Sequence, residues 1–138
     1  EHRFEFLKSS KGVDYINDSK STNVNSTVKA LESITKNVVL ILGGIPKESN
    51  FSEILLHKSK ILKVIVYGEA RNLIYNSLSK EVEVFKIEKF EDAVHLAIKS
   101  SMKDSIILLS PACASFDQFN NYEERGYKYK DIIERYCA

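Results

Sequence analysis

The residues able to do chemistry are concentrated in three short stretches of the sequence. The first, Asp18-Ser19-Lys20-Ser21-Thr22-Asn23, holds an acid, a base and several hydroxyls just ahead of apolar residues at helical spacing. Free N–H groups and the dipole at that helix start suit a phosphate or a carboxylate. The same residue types also make a plain polar cap with Asp18 and Lys20 solvated. The second, Gly43-Gly44-Ile45-Pro46-Lys47, turns sharply at two glycines and delivers one ammonium group. It lacks the G-x-x-x-x-G-K-S/T order of a phosphate-cradling loop, and it also reads as an ordinary strand exit with an exposed lysine. The third runs Ser110-Pro111-Ala112-Cys113-Ala114-Ser115-Phe116-Asp117-Gln118. Its small side chains let a ligand approach backbone N–H groups. Ser115 and Gln118 have capping-box spacing, which predicts that the last helix starts there, with Ser115 either capping it or offering its hydroxyl to a carboxylate. Cys113, between alanines and with no histidine nearby, reads as a packing residue rather than a nucleophile.

These stretches must be held by regular elements. Residues 4–8 and 13–17 are strand-like and joined by Ser9-Ser10-Lys11-Gly12, which predicts a hairpin. Val24, Val28, Leu31 and Ile34 predict the first helix, with Ser, Thr or Asn as its cap. Continuous apolar runs at 38–42, 63–67 and 105–109 suit strands buried on both faces of a parallel sheet, with a weaker strand at 82–85. Between them, Phe51/Ile54/Leu55, Ala70/Leu73/Ile74/Leu78 and Phe90/Ala93/Val94/Ala97/Ile98 read as helix stripes. A last helix would place Phe119, Tyr122, Gly126, Tyr129, Ile133 and Tyr136 on one face. The charged residues 123–125 and 128–131 are expected on its wet side, and His57 and His95 are expected to be structural. The fold class is therefore α/β: a Rossmann-like, mostly parallel sheet with an initial β-hairpin and helices on both faces. In such sheets ligands sit beyond the carboxyl ends of the strands, where all three polar stretches fall.

Composition narrows the classes further. The 138 residues make one domain, 43% of them apolar, with a net charge of only +1. No broad field exists to draw in nucleic acid or an anionic membrane, so neither is expected as a partner. No apolar run reaches membrane-spanning length and no signal-peptide order appears, so a cytoplasmic protein is expected. Two sparse cysteines fit a reducing compartment, and the three histidines have no metal-ligand spacing, so no metal site is expected in this chain. The start of the sequence, directly in a strand pattern, suggests a piece of a longer protein. A nicotinamide-binding oxidoreductase would need a G-x-G-x-x-G turn that is missing here. A non-catalytic flavodoxin-like binding domain is the other alternative.

Taken together, His2-Arg3-Phe4-Glu5, the stretch from Asn17 to Asn23, Leu42-Gly43-Gly44 with Lys47, Leu109 through Phe119, and Glu124-Arg125-Gly126 closely resemble the Mur ligases. Within that family they resemble the branch that adds D-glutamate; another Mur-type amino-acid ligase is the near alternative. The resemblance covers the whole chain but only the last of three domains, so it implies that N-terminal and central domains are missing. It implies a bacterial, monomeric, ATP-dependent ligase acting on UDP-N-acetylmuramoyl-L-alanine in peptidoglycan synthesis through an acyl phosphate, with Mg2+ ligands in the central domain. Carried over by position, it implies ATP contacts from His2, Arg3 and Asp18, and makes Lys20 a catalytic cation that also contacts ATP near the transferring phosphoryl group. The D-glutamate pocket would be Thr22, Lys47, Ser115, Phe116 and Tyr122. Phe116, Tyr122 and Ile45-Pro46 depart modestly from the family's usual residues.

Overall fold

The computed structural model describes residues 1–137. Strands β1 (Glu5–Ser10) and β2 (Val13–Asn17) pair antiparallel, as the sequence predicts. Their turn is tighter than expected. Only Lys11 (φ 54°) and Gly12 (φ 79°) make it, both in the left-handed region that a two-residue hairpin turn requires. The chain continues through α1 (Val24–Glu32), β3 (Asn37–Gly43), a 3-10 segment (Ser52–Lys60), β4 (Ile61–Tyr67) and α2 (Arg71–Leu78). It ends with β5 (Val84–Lys86), α3 (Phe90–Lys99), β6 (Ser105–Leu109) and α4 (Tyr122–Tyr136). The sheet order is β1-β2-β6-β3-β4-β5, and every pairing after the hairpin is parallel.

The apolar runs are continuous because each central strand feeds two cores. Val38, Leu40 and Leu42 of β3 and Val64 and Val66 of β4 pack with Leu31 of α1, Ile54 of the 3-10 segment and Ile74 of α2. The alternate residues Val39, Ile41, Ile65 and Tyr67 pack with Val94 of α3 and Tyr129 and Ile133 of α4. Helices thus cover both faces of the sheet.

Four expectations are corrected. The stripe at Phe51 and Ile54 forms a 3-10 segment kinked at His57 rather than an α-helix. Ile54 is the segment's only buried residue, Phe51 lies just ahead of it, and Leu56, 76% exposed, adds nothing to a wider apolar face. The fifth strand begins at Val84 rather than at 82. The last helix starts at Tyr122, not at Ser115: Asn121 caps it by accepting from the Glu124 N–H. Gln118 does not serve a capping box; it accepts from the Phe90 N–H and donates to the Glu88 carbonyl, tying the loop to the start of α3. Finally, the buried stripe of α4 is Arg125, Gly126, Tyr129, Ile132 and Ile133, so Arg125 is not on the wet side, and Tyr136 is 59% exposed.

The order β2-β6-β3 is what matters for function. It sets the carboxyl ends of three strands, and hence the three polar loops, side by side.

Candidate functional site

Backbone hydrogen bonds stitch the three loops into one unit. The Asp18 N–H donates to the Leu109 carbonyl (2.7 Å) and the Ala112 N–H to the Ser21 carbonyl (3.0 Å). Ile45 and Ala114 exchange both N–H···O bonds, at 2.8 and 2.9 Å, in an isolated antiparallel bridge. Gly44 permits this approach: with φ 123°, a Cβ there would stand 2.1 Å from the Ala114 carbonyl oxygen. That bridge fixes the path of the Lys47 loop, and the Glu48 carboxylate secures it by accepting from the Val24 N–H at the start of α1 (3.1 Å). Ala112 itself is held at φ 62°, a conformation uncommon for a residue with a Cβ.

Asp18 is 1% exposed, and its carboxylate accepts from the Phe4 N–H (2.9 Å), the Ser21 hydroxyl (2.5 Å) and the Ser110 hydroxyl (2.7 Å). It therefore fastens the N-terminal segment and two of the loops together. It also lines a cavity of about 240 Å3 with Arg3 and Lys29. Lys29 was missed in the sequence because a lone lysine in the last turn of a helix looks like an ordinary solvated charge. Lys20 is exposed on the same loop. His2, by contrast, is buried with its ring against Gly126 and its Nδ1 2.9 Å from the Asn17 side-chain amide, so it faces α4 rather than the cavity.

On the other side of the loop cluster, Lys47 Nζ donates to the Thr22 hydroxyl at 3.2 Å, bringing together two residues 25 positions apart. Ser115 is 2% exposed at the end of the bridge, Phe116 is 66% exposed, and Tyr122 holds the first position of α4. The Cys113 thiol is fully buried, and burial pushes its pKa up to about 12, against the Arg125 guanidinium, which acts to lower it. A thiol so rarely ionised is no nucleophile at neutral pH.

Arg125 is the functional candidate that sequence reasoning placed wrongly. It is 0% exposed and donates through Nε to the Ser19 hydroxyl (2.9 Å), through Nη2 to the Ser19 carbonyl (2.7 Å) and through Nη1 to the Cys113 carbonyl (3.0 Å). Charge-assisted bonds contribute about 1.5–3 kcal/mol each, which offsets the several kcal/mol of burying an ion without a carboxylate partner. The signal that could have found it is its spacing: Arg125 precedes Tyr129 by four and Ile133 by eight, on the apolar stripe itself.

A family model described as the Mur ligase, glutamate ligase domain matches residues 2–113. The chain belongs to that family. Among Mur ligase relatives, it is 47% identical over 137 residues to the UDP-N-acetylmuramoylalanine--D-glutamate ligase of Koribacter versatilis, covering 98% of this chain and 30% of that protein. The same ligase of a Hydrogenobaculum species is 40% identical over 134 residues, covering 97% of this chain and 33% of that protein. The chain therefore spans about a third of the length of the curated relatives it matches. Among solved structures, a UDP-N-acetylmuramate-alanine ligase from Thermotoga maritima superposes with a TM-score of 0.68 at 19% identity, covering 99% of this chain and 30% of that one. This last likeness supports the α/β fold and nothing finer.

Proposed function

We propose that this chain is the C-terminal domain of a cytoplasmic ligase that joins D-glutamate to UDP-N-acetylmuramoyl-L-alanine at the expense of ATP. The observation that carries the reading is the Lys47–Thr22 contact, held beside Ser115 by the Ile45–Ala114 bridge. D-Glutamate at neutral pH bears two carboxylates, the side-chain group having an ordinary pKa of about 4.3, and must keep its amine free to attack. Lys47 and the Thr22 hydroxyl hold the α-carboxylate; Ser115 and the Tyr122 N–H at the start of α4 hold the other, with Phe116 alongside. Arg3 and Asp18 take the ATP at their shared cavity, and Lys20 faces the phosphoryl group as it moves to the alanyl carboxylate, where a cation offsets developing charge. His2 supports this side from beneath by shaping the segment that carries Arg3.

The remaining parts of the reaction belong to the N-terminal and central domains in this reading. Among the described residues, no group of three or more His, Cys, Asp or Glu is placed to hold a metal ion. The Mg2+ ligands are assigned to the central domain in this reading because the Mur ligase resemblance implies them there. No helix of the described residues is long and apolar enough to cross a membrane.

The test is steady-state kinetics of the full-length protein with D-glutamate and ATP varied separately. Losing one charge-assisted bond of about 1.5–3 kcal/mol makes D-glutamate use about ten- to a hundredfold weaker in Lys47→Ala, with the ATP KM little changed. Ser115→Ala removes a neutral hydroxyl and costs less, about 1 kcal/mol. An unchanged D-glutamate KM and kcat in Lys47→Ala, or a shift in ATP instead, contradicts the pocket.

A further inference from the structure

The geometry points to Arg125 as a positioning residue that sets the distance between the phosphoryl-facing loop and the amino-acid loop, touching neither substrate. This inference rests on the functional reading above. The two carbonyls it grips are informative. That of Ser19 belongs to the peptide that leads directly into Lys20, and that of Cys113 to the peptide that leads into Ala114, the residue bridged to Ile45. One guanidinium fork therefore spans the start of both half-sites. The Ser19 hydroxyl extends the span: it accepts from Arg125 Nε (2.9 Å) and donates to the carbonyl of Tyr122 (2.7 Å), the first residue of α4.

The fork is rigid where a flexible side chain would not be. Guanidinium is planar with donors in fixed directions, whereas an ammonium on a four-carbon stem offers one point of attachment. Arg125 is also anchored from its own helix, since Gly126 beside it packs on His2 and Tyr129 one turn on is fully buried. Other bonds also cross between these loops, among them Ser110 to Asp18, Ala112 to Ser21 and Lys47 to Thr22, but none of them comes from α4. Asp18 orders the nucleotide side, and the Ile45–Ala114 bridge orders the amino-acid side. Arg125 joins the two sides from α4, and attack by an amine on an acyl phosphate depends on that relative placement.

Arg125→Lys in the full-length protein, which keeps the charge and loses the fork, tests this. A displacement of about 1 Å between reacting groups costs on the order of a hundredfold, so kcat/KM for D-glutamate falls by about ten- to a hundredfold while the ATP KM stays within about twofold. Ser19→Ala serves as the second variant if Arg125→Lys does not fold. It removes one bond of the span and lowers the same parameter by about tenfold or less, again sparing the ATP KM. A residue that acts only on stability would lower the active fraction and leave both KM values and their ratio untouched. That pattern, or an equal rise in both KM values, overturns the proposal while the wild type still uses D-glutamate. A wild type that releases no phosphate with D-glutamate contradicts the functional reading itself, and the role of Arg125 with it.

Discussion

Arg3 and Lys20 are both exposed cations near the nucleotide side, yet they stand in different places. Arg3 shares a cavity with Asp18 and Lys29, whereas Lys20 projects from the loop between Asp18 and Thr22. A contact made equally in ground and transition states changes KM, and one made to developing charge changes kcat. Arg3→Ala should therefore raise the ATP KM by about tenfold with kcat nearly unchanged, and Lys20→Ala should lower kcat by at least as much. Separate titrations of ATP in the two full-length variants check this, and the reverse assignment contradicts it. At this scale local chemistry leaves Lys47 an ordinary exposed lysine at a strand exit, and only the Mur ligase resemblance groups it with Thr22, 25 positions away; the two stand 3.2 Å apart in the structure. The burial of Arg125 is not legible in this way, because a charge that follows Glu123 and Glu124 reads as solvated and its partners, the Ser19 hydroxyl and the carbonyls of Ser19 and Cys113, are set by tertiary packing.

Helix α4 illustrates how an element is fixed by one close approach. Gly126 lies inside the helix, where glycine is about 1 kcal/mol worse than alanine, so propensity alone favours Gly126→Ala. A Cβ at that position would stand 2.2 Å from His2 Nδ1 and 3.0 Å from its Cγ, so the whole ring must leave the contact, not only a flexible tip. Overpacking of this kind costs about 1–3 kcal/mol and outweighs the propensity gain. Thermal unfolding should show Gly126→Ala less stable than the wild type, with His2→Ala in the same chain returning much of the loss. An increase in Tm from Gly126→Ala alone would refute the packing argument. The elements themselves were readable from periodicity because the strands feed two apolar cores. Helix α4 was read seven residues early because Ser115 and Gln118 mimic a capping box, while Gln118 is committed to the start of α3. A tertiary bond decided that boundary, and local spacing cannot show one.

At the scale of the whole molecule, the parallel order β2-β6-β3 gathers the three loops at one edge, a consequence of topology that strand patterns alone left open. The site so formed presents cations and hydroxyls, and its described residues offer no metal cluster. The chain covers 30% of the length of its relative from Koribacter versatilis, and the proposed function leaves metal binding and the remaining parts of the reaction to the N-terminal and central domains, with Arg3, Asp18 and Lys20 of this chain serving the ATP side. Turnover should then require all three domains together. The direct test is phosphate release from ATP with UDP-N-acetylmuramoyl-L-alanine and D-glutamate, measured for the full-length protein and for this chain alone. Release by the full-length protein that depends on D-glutamate and is not supported by L-glutamate is expected, and none by the chain alone. Precursor-dependent release by the isolated chain, or a full-length protein indifferent to D-glutamate, would contradict it.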